Sequence, residues 1–268
     1  CETKQRESCI HCSSPHLKYS GTGTQRVESL IEETFPQARL ARLDMDTART
    51  GSGITSILKS FSKGEIDILL GTQMIAKGLD FPNVTLVVII NAALGLHLPD
   101  FRAGERIFQL IYQASGRAGR REKPGEVVIQ TYVPDNPVIK NAAKLDMMKY
   151  YNIALSERNE LKYPPFSWLA KIEITGQNQI SVNSLSERIS KLLRGKYKGL
   201  DILGPAPCYL EKLRNQYRFQ IVFKSLKTKD PNGQKLHKFI QLNFMDFQKK
   251  YRPGKNRINI HFDPLSLI

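Results

Sequence analysis

No GxxxxGK[ST] segment occurs anywhere in this 268-residue sequence, so it carries no phosphate loop of its own. Any nucleotide chemistry suggested by other residues must lean on a phosphate site supplied from elsewhere. Long apolar runs are missing too: the longest, VTLVVII at 84–90, is strand-length, and no membrane span is expected. The first residues lack the layout of a secretory leader. The chain opens on Cys1 rather than Met, from which we expect a piece of a longer protein. Acidic residues are scarce, with 25 Asp+Glu against 40 Lys+Arg and a formal net charge of +15. A hydrophobic share of 41% excludes overall disorder, and the length suits one large domain or two ordinary ones.

Cysteine is limited to Cys1, Cys9, Cys12 and Cys208. Cys9 and Cys12 form CIHC, the shape of one knuckle of a zinc ribbon, which supplies two ligands where a structural zinc needs four. Cys1 offers a third ligand, and His11 or His16 a fourth. A ribbon whose other knuckle lies upstream is the simpler account. Cys208, in GPAPC, reads as an inert small residue.

What is present is a strand–helix alternation. Thr24 is placed as the N-cap of a helix with Val27, Leu30 and Ile31 at helical spacing. Residues 38–44, 66–72, 84–92 and 126–132 read as strands, and 53–63 and 102–115 as helices. The apolar strand runs suggest coverage on both faces, and the order argues for a parallel α/β sheet. YPPF (163–166) then punctuates the chain. Beyond it lie strand 167–175, helix 180–194, strands 200–204 and 216–224, helix 234–249 and strand 257–262. That is β-α-β-β-α-β, a small α+β domain. Charge shifts at the same place: residues 1–150 carry 19 Lys+Arg against 16 Asp+Glu, and residues 151–268 carry 21 against 9. An excess of +12 in the second part points to a polyanion partner, solubility being the plainer account.

Three glycine-punctuated segments fall where strands or helices should end. Thr72 and Gln73 follow a strand directly and could reach a backbone phosphate; Gly78 permits close approach, and Asp80 could accept from a ribose hydroxyl. In QASGRAGR (113–120), Gln113 ends a helix that Gly116 and Gly119 terminate, and the Arg117 and Arg120 guanidinium forks fit phosphate oxygens. Asp44 and Asp46 could form an acid/base pair, with strand-end turn chemistry the simpler reading. His97 reads as a loop residue. Asp100, Arg102, Glu105 and Arg106 are either a solvated helix face or part of a contact between lobes.

GTQMIAKGLDFPNV (71–84) and QASGRAGR resemble motifs V and VI of superfamily 2 helicases. With GTGTQRVE (21–28), DMDT (44–47), INAALGLHLPDFRAGERIFQL (90–110), YPPF and HFDPLSLI (261–268), they make the chain similar throughout to the bacterial replication-restart helicases. The resemblance implies a second RecA-like lobe (17–157) preceded by the tail of a cysteine-rich zinc module (1–16). A C-terminal α+β domain (158–268) for DNA and partners would follow. It implies ATP with Mg²⁺ held mostly by another lobe, and Zn²⁺ held in part by Cys1, Cys9 and Cys12. Arg120 would be the arginine finger, Arg117 a phosphate ligand, and Gln113 the residue coupling nucleotide to lobe closure. Gly78, Asp80, Gly116 and Gly119 would approach the nucleotide, and Thr24, Thr72 and Gln73 the DNA strand. The family also implies a cytoplasmic 3′-5′ motor that restarts stalled forks. Its partners would be branched DNA, single-strand binding protein and primosome proteins.

RNQYRFQIVFK (214–224) alternates, with Tyr217, Phe219, Ile221 and Phe223 on one face and Arg218, Gln220 and Lys224 on the other. The polar face is a candidate DNA surface, or the wet side of an ordinary strand. A competing function for the whole chain is a non-catalytic nucleic-acid-binding or partner-docking module.

Overall fold

The computed structural model describes residues 23–43, 51–72, 83–116, 125–197, 199–250 and 254–268. The chain divides into two compact units. Among the described residues, one runs to Ala93 and resumes over Ile107–Leu145; the other joins Leu94–Arg106 to Asp146–Ile268. The expected junction at 157/158 falls inside a continuous helix, Met147–Glu160, that belongs wholly to the second unit.

The first unit is built from short parallel pairs. Helix α1 (Thr24–Thr34) is followed by β1 (Leu40–Leu43), α2 (Gly51–Ser62) and β2 (Ile68–Gly71). β1 and β2 pair in parallel from Leu40↔Ile68 to Leu43↔Gly71. The register is pinned just before both strands, where Arg39 Nε and Nη2 donate to Asp67 at 2.8 and 2.7 Å. That fork, and the Arg39 amide, hold the Asp67 carboxyl well below the usual carboxylate range. β3 (Leu86–Ile89) pairs in parallel with β4 (Glu126–Ile129), with helix α3 (Ala103–Ser115) between them in sequence. Alternate residues Leu86, Val88 and Val128 stay exposed, so these strands bury one face rather than the two expected. In α1 the cap position is Gly23, not Thr24; Val27 is buried while Leu30 lies in solvent. A short helix, α4 (Pro137–Ala143), starts where the Asn136 side chain accepts the Val138 amide and Pro137 opens the first turn.

The second unit is an antiparallel sheet under two helices. After α5 (Met147–Glu160) come β5 (Ser167–Gly176), α6 (Gln179–Leu193), β6 (Leu200–Leu213), β7 (Gln216–Leu226), α7 (Gln234–Lys250) and β8 (Arg257–Phe262). The strand order is β6-β7-β5-β8, with every neighbour antiparallel. Ala170, Ile172 and Ile174 of β5 and Phe219, Ile221 and Phe223 of β7 face Val182, Leu185, Ile189, Leu236, Ile240 and Phe247 of the helices. The period-two alternation of β7 thus meets the 3.6-residue stripes of α6 and α7 in a single core. Asp230, fully buried, accepts the Leu236 amide at 2.9 Å and the Lys235 amide at 3.2 Å, closing the first turn of α7. No helix of the described residues is long and apolar enough to cross a membrane.

Candidate functional site

Parallel pairing decides which strand ends lie together. Leu43 and Gly71 are register partners at the carboxyl ends of β1 and β2, and Thr72 follows Gly71 directly. That is the end of a parallel sheet at which ligands bind. Thr72 is exposed immediately beyond β2, and Thr24 is half-buried at the first position of α1. Gln113 is exposed in the last turn of α3, and Gly116 follows the final helical residue, Ser115, with its amide donating to the Tyr112 carbonyl at 3.1 Å. Helix termination at Gly116 matches the reading of the sequence. Gln73, Gly78, Asp80, Arg117, Gly119 and Arg120 lie outside the described residues, as do Cys1, Cys9, Cys12, His11, His16, Asp44 and Asp46. Among the described residues no group of three or more His, Cys, Asp or Glu could hold a metal ion. His97 is exposed in a 3-10 turn, Leu94–His97, as a loop residue would be.

The polar face of β7 differs from expectation in an instructive way. Arg218, Gln220 and Lys224 do share one face, opposite the core, but two of them are engaged inside the unit rather than projecting into solvent. Arg218 forks onto Glu173 of β5, with Nε–Oε1 3.1 Å and Nη2–Oε2 3.2 Å, while Lys171 Nζ reaches the same carboxylate at 3.2 Å. These side chains are 16%, 12% and 6% exposed in the order Arg218, Glu173, Lys171. Burial alone would raise the Glu173 pKa; the Arg218 hydrogen bonds and the Lys171 charge outweigh it and hold the carboxyl below its ordinary range. Burial beside this cluster, with Glu173 adding to it, pushes the Cys208 thiol up to about 11, so Cys208 is an inert buried residue as expected. Lys224 donates to the Leu161 carbonyl at 2.9 Å and lies 3.5 Å above the Tyr163 ring. Its pKa is lowered, first by burial and then by Lys162, with Asp201 opposing. Gln220 Oε1 is buried without a hydrogen-bond partner.

The exposed cations of this unit lie elsewhere. Arg188 and Lys191 on α6, Lys235 and Lys238 on α7, and Lys212 and Arg214 at the β6–β7 turn all face solvent. The first two pairs sit three residues apart, so each pair shares one side of its helix.

Asp100, Arg102, Glu105 and Arg106, which the sequence left open between two readings, prove to be tied into the second unit. Asp100 has no exposed side-chain surface; its carboxylate accepts the Arg102 amide at 2.9 Å, Arg106 Nη2 at 3.0 Å and the Ser266 hydroxyl. Burial would raise its pKa, and Ser266, Arg102 and Arg106 together bring it below the usual range. Glu105 pairs with Arg158 of α5. No periodic or compositional signal marks this arrangement, because Ser266 and Arg158, which tie it to the rest of the unit, are more than 50 residues away in sequence.

Comparison with known proteins accounts for most of the chain. Residues 19–122 match the helicase conserved C-terminal domain, and residues 159–265 match the primosomal protein N C-terminal domain. Over 219 residues the chain is 43% identical to the replication restart protein PriA of Bacillus subtilis, covering 81% of this chain and 27% of that protein. The PriA of Synechocystis is 37% identical over 265 residues, covering 98% of this chain and 31% of that protein. That of Treponema pallidum is 40% identical over 220 residues, covering 82% and 33%. The chain thus spans a third or less of the length of these curated relatives.

Proposed function

The chain belongs to the PriA replication restart family, as its C-terminal portion, and from that premise we propose that it supplies two parts of a DNA motor. One is the arginine-bearing second lobe of an ATP-dependent 3′-5′ DNA helicase; the other is the domain that engages forked DNA and partner proteins. The observation that carries this reading is the succession of the two matches, 19–122 and 159–265, along one chain. The whole protein would work in the cytoplasm on stalled or branched forks, with single-strand binding protein and other primosome proteins as partners.

In this reading the missing phosphate loop and Mg²⁺ ligands belong to an opposing lobe, and bound ATP supplies the phosphoryl group whose transfer drives movement. Arg120 neutralises charge developing on that group, and Arg117 holds a neighbouring phosphate oxygen. Gln113, at the exposed end of α3, senses whether the two lobes have closed. Gly78, Asp80, Gly116 and Gly119 let the backbone and one carboxylate approach the nucleotide, while Thr24, Thr72 and Gln73 contact the DNA backbone. Cys1, Cys9 and Cys12 offer thiolates to a zinc ion whose coordination needs at least one further ligand.

The test is hydrolysis by the full-length protein on forked DNA. Arg120→Ala should lower DNA-stimulated turnover by about 10³ or more, the range over which arginine fingers act, while nucleotide still binds. Normal turnover by that variant removes Arg120 from the role. The 268-residue chain alone should not hydrolyse ATP, because a finger without an opposing phosphate site has no charge to stabilise.

A further inference from the structure

Strand β6 of the second unit carries a bulge larger than a single extra residue. Pro207 pairs with Phe219 and Lys212 with Tyr217, so residues 208–211 of β6 stand opposite Arg218 alone. A bulge re-aims side chains, and here it sorts them in two directions. Cys208 is buried, and Glu211 accepts from Gln179 Nε2 at 2.6 Å, which ties the bulge to the first turn of α6. Tyr209 and Leu210, between these two anchors, are left 53% and 51% exposed. Leu213, just beyond the bulge, and Ile180, next to Gln179, are exposed as well. The hairpin closes through Arg214 and Asn215, with φ +49° and +61°, a turn whose twist suits the flanking strands. Lys212 Nζ lies 4.8 Å from the centre of the Tyr217 ring, and Arg214 faces solvent. One exposed Leu on a surface is ordinary. A Tyr–Leu pair lifted out of a strand, held on both sides and followed by two cations, is a surface that fits a partner.

We propose that Tyr209 and Leu210 are a stacking platform for unpaired bases of a DNA strand, with Lys212 and Arg214 on the phosphates beside those bases. The inference rests on the reading of this unit as a DNA-binding domain. Two features favour DNA over a peptide. Pro205 and Pro207 deprive the β6 edge of two amide donors and the bulge breaks its line, so an extended peptide finds no continuous edge to join as a further strand. The charge beside the pair is positive, since Lys212 and Arg214 are exposed while the bulge's own carboxylate, Glu211, is engaged by Gln179. The Tyr209 ring offers a flat face to a base, and such stacking tolerates any sequence because every base has a π-face. In a duplex those faces are already covered by neighbouring pairs. The platform therefore discriminates by strandedness: it engages a single strand or the open arms of a fork and ignores a blunt duplex.

The test is titration of the 268-residue chain against three DNAs: a single strand containing 2-aminopurine, a fork with single-stranded arms, and a blunt duplex. Tyr209→Ala combined with Leu210→Ala should weaken binding to the single strand and the fork about tenfold, the effect of losing a base stack, and leave blunt-duplex affinity within about twofold. Tyr209→Trp alone should keep wild-type affinity and the 2-aminopurine quenching that stacking causes, whereas the double Ala variant should lose that quenching. Lys212→Ala with Arg214→Ala should flatten the log–log salt slope on the single strand by up to about 1.4 units. Unchanged single-strand affinity and quenching in the double Ala variant overturn the platform and leave the bulge to a protein partner. An equal loss on the blunt duplex overturns it too, because stacking on unpaired bases would not be the contact removed. A wild-type chain that binds none of the three DNAs sinks the DNA-binding reading itself, and the platform with it.

Discussion

Glu173 is the one carboxylate on the outer face of β5 that two cations share, and its response to pH can be worked out. Its folded pKa lies below its ordinary value near 4.5 because the Arg218 fork and Lys171 outweigh the cost of burial. Above that ordinary value it is charged in both folded and unfolded chains, and its full contribution to stability is present. As pH falls below it, the unfolded chain takes up a proton first, and the contribution drains away until pH passes the folded value. We therefore predict that Glu173→Gln lowers stability at neutral pH and flattens the acid limb of a urea-midpoint profile taken over roughly pH 3 to 7. A variant whose acid limb parallels the wild type would show that the cluster is not ionised as described. This residue also shows where sequence reading stops. Alternation put Arg218 on the correct face, but nothing in RNQYRFQIVFK says that Glu173, 45 positions upstream, will pair with Gln220 beside it and neutralise it.

Elements were legible in proportion to how far local pattern controls them. α6 and the core faces of β5 and β7 announce themselves because their apolar positions repeat at the spacing of the element. α5 does not: Met147, Met148 and Tyr151 are exposed and Tyr150 is its one buried apolar side chain, so no stripe runs along it. It is a helix because Asp146 accepts the Lys149 amide at its start and because Arg158 binds outward to Glu105 and Pro164. α4 had a readable start in Asn136-Pro137, a cap followed by a first-turn proline, which the strand-helix alternation obscured. β6 continues nine residues beyond its expected end at Gly204, since its edge tolerates Pro205 and Pro207 and the ladder to β7 resumes after each of two shifts in register. Gly204 makes that shift feasible. Its φ is +91°, and a Cβ there would meet the Gln220 carbonyl oxygen at 2.7 Å. Gly195 has φ +77° with open space around it. Gly204→Ala should therefore destabilise the chain by at least about 1 kcal/mol more than Gly195→Ala, which bears only the left-handed backbone cost of roughly 1–2 kcal/mol. Urea melts of the two variants decide it, and equal losses would mean that β6 relaxes away from β7 at no cost.

For the whole molecule, charge and its exposure must be separated before a nucleic-acid surface can be assigned. The excess of +12 in residues 151–268 was visible in the sequence, but the sequence could not tell spent cations from free ones. Arg218, Lys171 and Lys224 are held within the sheet and its turn, and Lys235 donates to the Lys229 carbonyl at 2.7 Å, whereas Arg188 and Lys191 on α6 and Lys238 on α7 look outward from the helical layer. Both helices bury their apolar sides on the same sheet face, so their charged sides form the surface of one layer. If that layer carries the backbone of DNA, affinity for a forked duplex should fall with salt at a log–log slope of about −0.9 per neutralised phosphate. Replacing Arg188, Lys191 and Lys238 by Ala should flatten the slope by up to about 2.7 units, with little change in thermal stability. Arg218→Ala should do the reverse, lowering stability because Glu173 is left buried beside Lys171 alone, and leaving the slope close to wild type. Titrations of the 268-residue chain at several salt concentrations separate the two. A slope that responds to Arg218 and ignores the helical triple substitution would put the DNA on the sheet face. The Glu173 fork would then have to open when DNA binds.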